Sequence, residues 1–145
     1  MIRNKLILSK LLNKMVQDGG KHRSEIDLLK AVKSVQRSKI NKCSKEILKI
    51  SLKNVSPFFQ LKTVKNKSKK SSIEIPYLLT EELRLFHGIK NLISCSNSIK
   101  KTPFYRRLQS EIEKSSILKG QSVKNRKRIH EDAFIRRKYA RYRWF

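Results

Sequence analysis

The sequence predicts a mainly α-helical domain of about six helices, with a protruding β-hairpin inserted between the third and fourth. Three observations predict it. Apolar residues recur at helical spacing on both sides of the chain's middle. The period drops to two only over residues 58–79. Turn and cap residues fall between the periodic runs. At 145 residues the chain is long enough for an ordinary core and is read as one domain, 1–145.

The first helix is expected over residues 2–17, with Ile2, Leu6, Leu8, Leu11, Leu12, Met15 and Val16 near helical spacing. Asp18-Gly19-Gly20 ends it, because glycine takes the left-handed conformation that a helix C-terminus needs. Ser24, with acids close behind, offers the N-cap of a second helix to Arg37, packed through Ile26, Leu28, Leu29, Val32 and Val35. A third runs over 44–54 on Ile47, Leu48, Ile50 and Leu52, and Pro57 stops it. Two alternating runs follow, with Phe59, Leu61 and Thr63 on one strand and Ile73, Ile75 and Tyr77 on the other. The lysine-rich "KNKSKK" between them has nothing to pack and is read as the hairpin tip, or as a solvated loop.

Thr80, Glu81 and Glu82 begin a fourth helix, since negative charge suits an N-terminus. Its buried stripe is read as Leu83, Phe86, Ile89, Leu92 and Ile93. Thr102-Pro103 opens a fifth, with the proline in its first turn, Tyr105, Leu108, Ile112 and Ser116 down one side, and Gly120 as its stop. A last helix spans 121–142.

Charge bounds the function. There are 36 Lys and Arg against 11 acids, a net +25. Repulsion at that level destabilises a compact monomer, and a polyanionic partner relieves it, with nucleic acid ahead of an anionic membrane surface. No stretch approaches transmembrane length, so membrane insertion is not expected. The start, "MIRNKLILSKLLNKMV", is basic, acid-free and amphipathic, which suits a transit peptide or a first helix. Cys43 and Cys95 stand alone and read as small buried side chains, so neither metal nor cofactor is expected. Glu81-Glu82 and Glu131-Asp132 are helix neighbours that do not face each other. His22, His87 and His130 have no evident nucleophile, so no enzyme is expected.

The last helix carries the functional signal. Laid at 100° per residue, Ile129, Ala133 and Ala140 share one face and Ile135, Tyr139 and Tyr142 lie nearly opposite, with cations between. A core helix has one apolar stripe, and a membrane-surface helix has one continuous apolar face. Two thin strips separated by cations fit a helix that docks on its own domain while its other sides meet phosphates. Arginine suits bidentate phosphate contacts, and Tyr or Trp stacks on bases.

Three stretches then resemble a known family, the bacterial and organellar small-subunit ribosomal protein seven. They are "KMVQDGGK", then "LKNVSPFFQLK" with the returning "IEIP", and "KGQSVKNRKRIHEDAFIRRKYARYRW". "LQSEI" just before the last also fits, and the similarity runs from about Leu11 to Trp144. The resemblance implies a helical domain with a protruding hairpin. It implies a binder of small-subunit rRNA that organises the 3′ major domain of the subunit head. The hairpin would reach towards exit-site tRNA and mRNA, with ribosomal protein eleven as an expected neighbour.

Candidate RNA contacts are Lys21 and Arg23, then Lys62, Lys65, Lys67, Lys69 and Lys70 of the hairpin, and Arg106 and Arg107. On the last helix they are Lys124, Arg126, Lys127, Arg128, Arg136, Arg137, Lys138, Arg141, Tyr142, Arg143 and Trp144. The chain departs from the family at Lys127 and Arg128, where two acids are common, and near the hairpin tip, where Lys69-Lys70 stand in for paired glycines. The family's basic N-terminal arm is also short here. The stop after Tyr-Arg-Trp resembles mitochondrial members, and the 24-to-12 excess of Lys over Arg reads as a gene rich in A and T; together they suggest a mitochondrial ribosome, with a plastid or bacterial origin as the alternative. A free-standing basic nucleic-acid binder is the competing function. It would require a clean base-reading helix face, which the spread of cations denies.

Overall fold

Leu11, Leu92 and Leu108 come from three different helices and are wholly shielded from water, and the fold is arranged around them. Each such side chain contributes on the order of 2 kcal/mol by leaving water. The computed structural model describes residues 4–38, 43–65, 72–98 and 102–141, with side chains from Ile7 onward. Six α-helices are described: α1 (Asn4–Met15), α2 (Lys21–Ser38), α3 (Ser44–Val55), α4 (Glu81–Ser98), α5 (Phe104–Ser116) and α6 (Gln121–Ile135). Strands β1 (Phe59–Lys65) and β2 (Ser72–Leu78) form an antiparallel hairpin between α3 and α4, and a 3-10 segment, Arg137–Arg141, follows α6. This is the predicted mainly α domain with its inserted hairpin. α5 lies at the centre, against α2, α3, α4 and α6, while the hairpin rests on α6 and the 3-10 segment.

The turn after α1 behaves as its sequence demands: Asp18 and Gly19 both take positive φ, 49° and 74°. The neighbouring expectation fails. Ser24 lies inside α2, which begins at Lys21, and its hydroxyl donates to the carbonyls of Gly20 and Met15. Ile26 and Leu29 face water, and Ala31 fills the core position instead. In α3, Ile50 is exposed and Ser51 is buried. The Ser51 hydroxyl meets that of Ser115 on α5 at 2.6 Å, two small residues where the helices approach closely.

The α4 stripe is rotated from the expected one at its start. Leu83 and Phe86 are exposed, and Leu85, Gly88, Ile89, Leu92 and Ile93 are buried. Gly88 explains the rotation: a Cβ there would stand 2.5 Å from the Ser56 hydroxyl, so α3 and α4 touch where only glycine fits. Pro103 is the N-cap of α5 rather than a first-turn residue, and Ser115, not Ser116, is the buried serine near its end. The left-handed residue after α5 is Leu118, with φ 64°, and not Gly120. Gly120 instead precedes α6 in extended conformation. It is needed for space, since a Cβ would lie 2.7 Å from the Glu111 carboxylate.

The hairpin register pairs Phe59 with Leu78, Leu61 with Pro76 and Lys62 with Ile75. Cross-strand partners share a face. The two alternating sets read from sequence therefore lie on opposite faces of the ribbon. Phe59, Pro76 and Glu74 turn towards α6. The α-helix predicted over 121–142 ends at Ile135, where Arg136 turns the chain into the 3-10 segment. This breaks the single helical wheel. Ala133 docks as expected, while Ile135 is 71% exposed. Cys95 is buried as expected, but Cys43 is exposed.

Candidate nucleic-acid interface

α6 is held by polar groups at its start. The buried carboxylate of Glu111 accepts from the Ser122 backbone N–H at 2.8 Å and its hydroxyl at 2.6 Å. Asn91 on α4 donates to the Ser122 carbonyl at 2.8 Å, and Asn125 donates to the Asn91 amide oxygen and the Cys95 sulfur. Burial, with the Glu111 charge nearby, raises the Cys95 thiol to about 11, so it packs and does not react. With that face fixed, Lys124, Lys127 and Arg128 are left exposed, and Arg126 is half-buried with its Nε unsatisfied within the protein.

His130 joins α6 to the hairpin. Its Nε2 accepts from the Phe58 backbone N–H at 3.0 Å, which requires a neutral ring with its proton on Nδ1. Burial, aided by the Arg126 charge, lowers its pKa and favours that neutral form. The Phe58 and Phe59 rings pack on the imidazole at 5.9 and 5.7 Å, and the Arg84 guanidinium lies 3.9 Å over Phe58. Further along, Arg136 binds Glu74 of β2 at 2.7 Å, with Asp132 at 3.7 Å. The arm is thus tied to α6 at two points.

Beside these ties lies an open groove of roughly 360 Å3 between the hairpin base, α4 and α6. Gln60, His87, Lys90, Asn125 and Arg128 line it. Burial, then the Lys90 charge, lowers the His87 pKa. Neither Lys90 nor Arg128 forms an ion pair with a described acid. His87 and Lys90 were missed in the sequence. Their signal was the spacing of three, which puts both on the α4 face that Leu83 and Phe86 were wrongly expected to turn inward.

The other predicted residues fall in separate places. Lys62 and Lys65 lie exposed on β1. Arg137 stacks over Phe134 at 4.5 Å and Lys138 over Tyr139 at 5.0 Å, with Arg141 exposed beside them. Lys21 and Arg23 are exposed at the start of α2, and Arg23 shares a groove with Arg107, Asp18 and Asp27. Arg106 points away from α6, into a groove between α2 and α5. Lys67, Lys69, Lys70, Tyr142, Arg143 and Trp144 lie outside the described residues. Among the described residues no group of side chains could hold a metal ion, and no helix is long and apolar enough to cross a membrane.

The arrangement defines a class: a basic helical domain with a braced β-hairpin arm and a last helix whose cations face outward. The family described as ribosomal protein S7p/S5e matches residues 1–137, and the chain belongs to that family. The chain is 29% identical over 143 residues to small ribosomal subunit protein uS7 of Heliobacterium modesticaldum, covering 99% of this chain and 90% of that protein. With the uS7 of Phytoplasma australiense the identity is 27% over the same shares. With that of Geotalea daltonii it is 29% over 138 residues, 95% of this chain and 86% of that protein.

Proposed function

We propose that the chain is a structural component of the small ribosomal subunit that acts in translation by binding rRNA. The observation that carries this reading is the groove flanked by Lys90 and Arg128, whose charges no described acid neutralises. Uncompensated cations on a rigid surface are suited to phosphate. The target is the 3′ major domain of the rRNA, and the role is to organise the subunit head. The exposed cations Lys124 and Lys127 extend the surface along α6, Arg137, Lys138 and Arg141 extend it along the 3-10 segment, and Lys62 and Lys65 extend it along the arm. The arm reaches towards exit-site tRNA and mRNA. Phe134 and Ile135, 65% and 71% exposed, suit a protein neighbour, for which ribosomal protein eleven is the expected candidate. The lysine-rich composition favours a mitochondrial ribosome, with plastid or bacterial ribosomes as alternatives. The role is architectural rather than enzymatic.

The test is a salt titration of binding to a 3′ major domain rRNA fragment. Log affinity should fall by about 0.7 to 0.9 per log unit of salt for each phosphate contacted. Changing Lys90 and Arg128 together to Ala should weaken binding and flatten that slope by about 1.4 to 1.8. An unchanged slope overturns the assignment of this groove. A wild-type protein that neither binds the fragment nor sediments with small subunits overturns the function.

A further inference from the structure

α2 packs on α1, α3 and α5, away from the arm. Its residues Lys30, Lys33 and Arg37 recur at spacings of three and four, so they share one helix face and form a row about 10 Å long. α5 brings Tyr105 and Arg106 alongside, and together they line a groove of roughly 560 Å3. Tyr105, half-buried against the core, lies near two of the cations: the Lys30 ammonium is 5.8 Å from its ring centre and the Arg106 guanidinium 5.9 Å. The groove has one acid, Glu113, whose carboxylate already accepts from the Ser38 hydroxyl and the Gln109 amide. None of the four cations forms an ion pair with a described acid.

We propose that this α2–α5 groove is a second RNA-binding site, in which Lys30, Lys33, Arg37 and Arg106 hold a stretch of phosphate backbone and the Tyr105 ring offers a stacking surface. It rests on the reading that the chain binds rRNA, and adds that the RNA grips it on two separated sides. The physical argument is that four like charges along one groove repel each other in the free protein, and a polyanion removes that cost. An aromatic ring among them favours nucleic acid over an acidic peptide, since every base has a face to stack. One helical domain held between two RNA segments would draw them together, which a single surface cannot do.

The test compares three proteins on the same 3′ major domain fragment: wild type, the triple variant Lys33→Ala, Arg37→Ala, Arg106→Ala, and the double variant Lys90→Ala, Arg128→Ala of the arm-side groove described above. All three altered α2–α5 residues are exposed, so folding should be retained, and circular dichroism checks this. The α2–α5 variant should flatten the salt slope by about 2 to 3. It should also lose backbone protection in an RNA segment different from the one lost by the arm-side variant. Wild-type slope and protections in the α2–α5 variant, beside an altered arm-side variant, overturn this inference and leave the proposed function standing. Absence of salt-dependent binding by wild type overturns both. In assembled small subunits, carbodiimide crosslinking of Lys30 or Lys33 to a protein carboxylate, without any crosslink to RNA, identifies an acidic protein as the occupant and also overturns the inference.

Discussion

Replacing Glu111 by alanine removes the carboxylate that starts α6. Its Oε1 accepts from the Ser122 N–H at 2.8 Å and the Ser122 hydroxyl at 2.6 Å, and the residue is only 7% exposed. A hydrogen bond to a charged group contributes about 1.5 to 3 kcal/mol, and a buried donor left without a partner costs its desolvation. Two such bonds would give about 3 to 6 kcal/mol. Water entering the vacated space satisfies part of the loss, so the expected cost is about 3 kcal/mol. A chain of this length unfolds with an entropy of about 0.3 kcal/mol/K, so the midpoint should drop by about 10 °C. The assay is thermal unfolding of the purified protein followed by circular dichroism, with hydrogen exchange at the Ser122 and Val123 amides. Glu111→Gln keeps the shape and an acceptor and should lose about half as much. If Glu111→Ala unfolds within 2 °C of wild type, the carboxylate does not anchor α6.

Three further outcomes follow from particular contacts. Gly88→Ala, which in an open helix would stabilise by about 1 kcal/mol, should instead destabilise by about 1 to 3 kcal/mol, because its Cβ would meet Ser56 at 2.5 Å; urea unfolding checks this, and Ser56→Gly in the same chain should recover much of the loss. His130 has its pKa lowered in the fold, so its contribution is present above the ordinary value near 6.5 and is lost as pH falls through the folded value. Urea midpoints should therefore decline from pH 7.5 to 5 more steeply in wild type than in His130→Gln, where equal slopes would remove His130 as the cause. Glu74→Gln breaks an ion pair whose side chains are 33% and 37% exposed; global stability should change by no more than about 1 kcal/mol, while hydrogen exchange in β2 should quicken, and unchanged exchange would show that the arm needs no tie to Arg136.

Element type and order were legible because they depend on period and on a few turn residues. Six helices and a hairpin follow from spacing, and Asp18-Gly19 forms the left-handed turn that its sequence demands. Which face of each helix turns inward was less legible, because that is decided by the partner helix. Leu83 and Phe86 are as apolar as Leu85 and Ile89, yet the close contact of Gly88 with Ser56 selects the rotation that exposes them. Gly120 was legible as a special position but not for the right reason, since a glycine required for space looks the same in sequence as one required for positive φ. The predicted cations on α6 mostly do face outward. Arg136 is the instructive one: no sequence rule shows that a residue on β2, 62 positions earlier, will meet it through Glu74.

The two ties between the arm and α6 bear on what RNA binding would cost. A free hairpin is marginal in water and would have to be ordered when it binds. Here the Phe58 N–H is held by His130 at the base, and Glu74 is held by Arg136 along β2. The second tie uses Arg136, which the sequence alone assigns to phosphate. Each tie fixes backbone before any partner arrives, and ordering completed in advance is not subtracted from affinity. The same packing leaves Lys90, Arg128, Arg137 and Arg141 without an ion pair to a described acid, so the charge that destabilises the free chain is directed outward from a braced frame. If this division is correct, Glu74→Gln should weaken rRNA binding while leaving the salt slope unchanged, because it loosens the frame and removes no cation. A flattened slope would mean that the ion pair shapes the phosphate contacts themselves.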